Sequence, residues 1–256
     1  MKKIIFIISS TILFAINTQA ENNQKVIKTL LDSANTAYVQ KRYDAAADFY
    51  KKILDLGYIA PEIYYNLGNA YFKQNEITKA IYYYEKAQKL APNDKDIKYN
   101  LEFANQYITD KIKQAPRFFI VKIVYKIADL FTTNGWAILA FTLFIIVLLS
   151  LLAFLFTKSI SIKKASFYIG VISLIFSITS LYLSYLQYNR YARSNEAIVF
   201  APTLTLKSSP DENGTDLMII HEGLKVSVTD SLDNWYEIKL PDGNKGWTEK
   251  QNVKRI

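Results

Sequence analysis

Residues 61–94 read PEIYYNLGNAYFKQNEITKAIYYYEKAQKLAPND, from Pro61 to Asp94. Counting Pro61 as the first position, Tyr64 stands fourth, Leu67 and Gly68 seventh and eighth, and Tyr71 eleventh. Ala80 stands twentieth, Tyr84 twenty-fourth, Ala87 twenty-seventh and Pro92 thirty-second. This spacing predicts two antiparallel helices in close contact. Gly68 and Ala80 leave room for the crossing, Tyr64, Tyr71 and Tyr84 fill the space around it, and Pro92 ends the second helix. One such pair cannot bury its own apolar face, so the pattern should recur on either side.

It recurs at an offset of 34 residues. Ala34, Asn35, Ala46 and Tyr50 stand where Gly68, Asn69, Ala80 and Tyr84 stand. In the other direction Ile97, Tyr99, Asn100, Leu101 and Ala104 repeat Ile63, Tyr65, Asn66, Leu67 and Ala70. The pattern resembles the tetratricopeptide repeat, which implies an α-helical solenoid. Two repeats are expected at 27–60 and 61–94, with a capping helix at 96–113, inside a domain of residues 21–116.

Upstream, residues 1–20 begin Met-Lys-Lys, run apolar from Ile4 to Ile16 and end Thr18-Gln19-Ala20. That is the form of an export signal, with cleavage expected after Ala20; a retained anchor is the alternative. Downstream, Lys122, Lys126 and Asp129 take one side of a helical pattern, and Phe119, Ile120, Ile123, Ile127 and Leu130 the other. The expectation for 117–133 is an amphipathic helix lying in a membrane interface, or else a last helix packing on the repeats. Residues 136–156 and 167–188 contain no charged side chain. At about 1.5 Å of rise per residue each is long enough to cross a bilayer. Ser166, Gly170, Ser173, Ser177, Ser180 and Ser184 form one stripe along the second span, where another helix can approach closely.

The net charge of +8 is concentrated around these spans: residues 117–193 hold eight basic side chains against one acidic, and 194–256 hold seven against ten. Headgroup contact accounts for such an excess, and a nucleic-acid partner is not expected. Lysines 158, 163 and 164 in the expected connection favour its lying in the cytoplasm, whereas Arg117, Lys122, Lys126, Arg190 and Arg193 on the outer flanks oppose that orientation. The export signal decides for the first. It places the chain in the inner (cytoplasmic) membrane with both soluble domains on the periplasmic side.

From Glu196 the pattern changes to short alternating runs at 197–200, 204–207, 217–220, 224–228, 235–240 and 246–248, separated by turn-forming segments such as Ser-Ser-Pro-Asp-Glu-Asn-Gly and Pro-Asp-Gly-Asn-Lys. With Asn234-Trp235-Tyr236-Glu237-Ile238 and Gly246-Trp247, residues 196–256 resemble a bacterial Src-homology-3-like domain. That resemblance implies a small all-β barrel of five or six strands that binds peptide or cell-wall polymer, with Trp235 and Trp247 on its ligand face, or that merely packs on another domain. The fold class expected is thus a multidomain membrane protein: a helical solenoid, a two-helix transmembrane hairpin and a small barrel.

Chemistry is sparse. There is no cysteine and one histidine, His221, expected as a surface or turn residue. Glycines are scattered singly, without a phosphate-binding loop. No catalytic residue, metal site or cofactor is expected, and the chain reads as a binding protein rather than an enzyme. In the tetratricopeptide family, ligand contacts lie at the fifth, ninth, twelfth and thirteenth positions of each first helix. The resemblance therefore implies a groove lined by Asn35, Tyr38, Tyr65, Asn69, Phe72 and Lys73, continued by Tyr99 and Phe103. Leu31 and Tyr65 at the fifth positions depart from the lysine clamp with which some relatives hold a terminal carboxylate.

Taken whole, the order of parts resembles the tetratricopeptide proteins of the Bacteroides aerotolerance (Bat) family. That resemblance implies a membrane-anchored adaptor whose partners are Bat membrane proteins with von Willebrand factor A-type domains. The alternative is a cell-wall module whose barrel binds peptidoglycan while the repeats recruit a wall enzyme.

Overall fold

The structure, a computed structural model, describes residues 23–113, 118–191 and 195–256. The expected export segment, Arg117 and Arg193 lie outside the described residues. The chain divides into two compact units. One runs to Ala87 and takes in Tyr99–Ile108; the other comprises Gln88–Lys98 and Thr109–Ile256.

In the first unit, α1 (23–39) pairs with α2 (Tyr43–Asp55), and α3 (Pro61–Lys73) with α4 (Ile77–Leu90). Pro61 opens α3, where a missing N–H costs nothing. The two intra-repeat turns are copies of each other. Lys41 (φ 61°) and Asn75 (φ 65°) both take the left-handed conformation. Arg42 N donates to Ala37 O at 2.9 Å, and Glu76 N to Tyr71 O at 3.0 Å. These are the closing bonds of a helix C-terminus that ends in a left-handed residue. The crossing depends on Gly68: a Cβ there would stand 2.6 Å from the Tyr84 ring. Ala34, Ala46, Ala80, Tyr50 and Tyr84 are buried, as the repeat spacing requires.

The capping helix is shorter than expected. α5 spans Lys95–Ala104 rather than running to 113. Asp94 caps its start, Oδ1 accepting from the amides of Asp96 (2.9 Å) and Ile97 (3.0 Å). After Ala104 the ladder tightens into turns, with Gln106 N donating to Phe103 O and Tyr107 N to Ala104 O, both at 3.0 Å. Residues 110–113 are then taken up by the C-terminal sheet, where Ile112 packs against the apolar cluster.

In the second unit, α6 (Phe119–Ala128) precedes α7 (Thr133–Phe156) and α8 (Ile160–Tyr191). The Thr132 hydroxyl caps α7 by accepting from Gly135 N at 3.2 Å. α7 and α8 are long and apolar enough to cross a membrane by length and composition. The ten-residue connection expected between them shrinks to three, because α8 starts at Ile160 and includes Lys163 and Lys164. They pack as an antiparallel pair through the serine stripe. Ser177 Oγ donates to Ala140 O and Ser184 Oγ to Thr133 O, both at 2.9 Å, and the Gly170 position lies against Ser150. The hydroxyls thereby satisfy themselves on backbone carbonyls inside the hairpin.

The C-terminal residues form seven strands: β1 (Glu196–Val199), β2 (Thr203–Lys207), β3 (Asp216–His221), β4 (Lys225–Leu232), β5 (Trp235–Lys239), β6 (Lys245–Glu249) and β7 (Val253–Arg255). They make one antiparallel sheet in the order β3-β2-β6-β5-β4-β1-β7. This corrects the expected barrel: the sheet is open, with β3 and β7 as its edges. β7 is only three residues long, two of them exposed and basic, and the edge amide of His221 in β3 donates to Asp110 instead of to a strand. A single apolar core still draws on Val199, Leu206, Ile220, Val226, Ile238 and Val253, so the sheet coils around common contents without closing. Gly246 permits the β2–β6 approach, since a Cβ there would stand 2.8 Å from Leu206 Cβ.

Candidate partner-binding face of the repeats

The expected groove residues lie on three helices: Asn35 and Tyr38 on α1, Tyr65, Asn69, Phe72 and Lys73 on α3, and Tyr99 and Phe103 on α5. Their polar part is built twice. The Tyr50 hydroxyl donates to Asn35 Oδ1 and the Tyr84 hydroxyl to Asn69 Oδ1, both at 2.7 Å and both across 15 residues of sequence. The two asparagines therefore serve the fold as well as the surface: each ties the first helix of its repeat to the second. Asn100 extends the network, its Nδ2 donating to Tyr65 Oη and to Asn69 Oδ1, each at 2.9 Å.

Burial tunes these phenols. Burial first, then the neighbouring Tyr38, pushes Tyr50 up to about 12. Burial, followed by Tyr65 and Tyr38, also raises Tyr84, while the Asn100 hydrogen bond acts the other way. Tyr38 is raised by burial and by Tyr43 and Tyr65. The phenols stay neutral donors at any physiological pH, and the surface they form carries no ionised oxygen.

The apolar part is a cluster of rings. Phe72 lies 5.6 Å from both Phe103 and Tyr107, Phe103 lies 5.5 Å from Tyr107, and Tyr99 stacks on Phe103 at 6.4 Å with planes 5° apart. Tyr38 meets Tyr43 edge-on at 5.2 Å, and Tyr65 meets Tyr84 at 5.9 Å. Tyr99 and Tyr107 remain 67% and 57% exposed. Lys73 projects, exposed, from the last turn of α3. Two members of this surface were missed in the sequence. Tyr107 lies 34 residues after Lys73, a position the repeat offset could have supplied. Asn100 was seen only as an echo of Asn66.

The second expected site lies on the sheet. The register pairs Trp235 with Glu249 and Glu237 with Trp247, so Trp235 and Trp247 occupy diagonal positions on one face, both half-buried. Between them Glu237 accepts from Lys245 Nζ at 2.7 Å and from the Thr229 hydroxyl. Those two hydrogen bonds, Lys245 first, hold its carboxyl below the usual carboxylate range. Tyr236 points to the opposite side, with the Arg255 guanidinium 4.7 Å and Lys250 Nζ 5.1 Å from its ring centre.

His221 has a partner that spacing could not reveal, because it lies 111 residues away: Nδ1 stands 3.0 Å from Asp110 Oδ1. The pair fastens residues 110–113 to the sheet edge. Among the described residues no group of His, Asp or Glu side chains converges as metal ligands would.

The tetratricopeptide-repeat family model matches residues 61–94, the stretch whose spacing predicted the helix pair. No curated protein matches the chain. The match covers one repeat, and it points to a role in protein–protein interaction.

Proposed function

We propose that this chain is a membrane-anchored, non-catalytic adaptor that holds an extended segment of a partner protein against the aromatic face of its repeats. The observation that carries this reading is the ring cluster of half-buried Phe72 with exposed Tyr99, Phe103 and Tyr107, one turn along α3 from the Asn69 amide that Tyr84 fixes. Large rigid rings supply interface energy at small entropic cost, and carboxamides match the donors and acceptors of an extended backbone. The groove residues are Asn35, Tyr38, Tyr65, Asn69, Phe72, Lys73, Tyr99 and Phe103. α7 and α8 supply the anchor as a hairpin, which puts the repeats and the sheet on the same side of the inner membrane. The sequence resemblance to the Bat family supports partners with von Willebrand factor A-type domains and a place in tolerance of oxygen or envelope stress.

The test is co-purification from native membranes with Tyr65→Ala and Phe72→Ala combined, the repeats checked for folding by circular dichroism. Loss of a partner that wild type retains supports the adaptor; retention of every partner by the folded variant defeats it. A second reading is favoured by Trp235 and Trp247 sharing one face, a surface on which a sugar ring can stack. In that reading the sheet binds peptidoglycan. It requires that residues 196–256 sediment with purified cell wall and that folded Trp235→Ala does not.

A further inference from the structure

The surface of α6 divides into three arcs. At about 100° per residue, Val124, Ala128, Tyr125 and Val121, the last of them 38% exposed, fall on one, Lys122 and Lys126 on the next, and Phe119, Ile120, Ile123 and Ile127 on the third. The first arc is the packed one. Ala128 is buried, Val124 and Tyr125 are half-buried, and the Arg190 guanidinium of α8 lies 5.0 Å from the Tyr125 ring centre. The third arc is bare: its four apolar side chains are between 44% and 71% exposed. The side of α6 that meets the hairpin is therefore not the side on which its large apolar residues lie.

A polar joint fixes the helix in that pose. The Ala128 carbonyl accepts from Trp136 Nε1 at 2.8 Å and from Gln187 Nε2 at 2.6 Å. Gln187 Nε2 also reaches Phe131 O at 3.3 Å, and Arg190 Nη1 donates to both Asp129 carboxylate oxygens at 3.0 and 3.2 Å. The hairpin thus takes up carbonyls that the end of α6 cannot satisfy itself. The joint engages the first turn of α7 and the last turns of α8, and so sets α6 at the level where both apolar helices end.

We propose that α6 lies in the boundary between headgroups and acyl chains, with the Phe119, Ile120, Ile123 and Ile127 arc in the acyl chains and Lys122 and Lys126 against headgroup phosphates. The inference rests on reading α7 and α8 as membrane spans. Lipid is the occupant because the bare arc adjoins a cationic one, as an interfacial helix requires. The joint also holds the end of α6 at Trp136 of α7, and exposed apolar side chains, Ile138 and Phe141, follow along that helix. A stable joint of this kind fixes the depth at which the chain leaves the bilayer.

The chain has no cysteine, so single cysteines can be introduced and nitroxide-labelled without background. Labels go at Ile120, Ile123, Lys122 and Lys126, at Ile175 within α8, and at Ser231 on the sheet. The full chain is reconstituted in vesicles of phosphatidylethanolamine and phosphatidylglycerol, and relaxation by oxygen is compared with relaxation by a water-soluble nickel chelate. The expected oxygen-to-nickel ratio is highest at Ile175, several-fold above Ser231 at Ile120 and Ile123, and close to Ser231 at Lys122 and Lys126. A lipid-like Ile175 with water-like Ile120 and Ile123 overturns the placement of α6 and leaves the hairpin reading intact. Shielding of Ile120 and Ile123 from both reagents overturns it too, in favour of protein contact. A water-like Ile175 removes the hairpin reading and the inference together.

Discussion

Replacing Gly68 by alanine adds one methyl group at the tightest point of the second repeat. Its carbon would stand 2.6 Å from both Cδ1 and Cε1 of Tyr84. The ring cannot simply swing aside, since its hydroxyl is held by Asn69 Oδ1 at 2.7 Å. Overpacking of this kind costs about 1–3 kcal/mol, while alanine in place of glycine inside a helix returns about 1 kcal/mol. The net expectation is a loss of about 0–2 kcal/mol; each kcal/mol lowers Tm by roughly 4–8 °C in a domain of this size. The cause is isolated by repeating the substitution beside Tyr84→Leu, whose shorter side chain can rotate away. There only the propensity gain should remain, giving a coupling energy of about 1–3 kcal/mol in the double-mutant cycle. The first repeat supplies the converse. Ala34 stands at the equivalent position and is fully buried, so Ala34→Gly should destabilise by about 1 kcal/mol or more. The assay is urea unfolding of residues 21–113 followed by circular dichroism. If Gly68→Ala stabilises the repeats, or if its effect is the same with Tyr84→Leu, the crossing does not depend on the contact described.

Two further outcomes follow from the same geometry. Tyr50 and Tyr83 titrate near 12 in the fold against 10.0 in an unfolded chain, so the unfolded state loses its protons first as pH rises. The stability they contribute is complete below about pH 10 and is lost on the way to pH 12; Tyr50→Phe with Tyr83→Phe should flatten that fall in urea midpoints, and an unchanged slope would contradict the burial of these phenols. Reporters fused after Lys113 and after Ile256 should both be active outside the cytoplasm and one inserted near Ser161 active inside, whereas opposite activities at the two outer positions would remove one of the spans.

Periodic features were legible in the sequence because each is set by neighbours a fixed distance along the chain. The 34-residue offset located the helix pairs and placed Gly68 against Tyr84; the uncharged runs located α7 and α8, and the serine stripe marked the side on which they meet. Only the tertiary structure decided what depends on partners far apart in the chain. Asn35 and Asn69 read as ligand-facing amides, yet each also holds a tyrosine of the following helix, a use that hydrogen-bond geometry alone reveals. The alternating strands were visible, but whether they closed was not. Closure depends on edge pairing, and here Asp110, 111 residues before His221, takes the edge amide that a closing strand would need. The polar joint of Asp129, Gln187 and Arg190 joins residues about sixty positions apart and gave no local signal. Local periodicity writes an element into the sequence; the pairing of isolated polar groups is settled only when packing brings them within bonding distance.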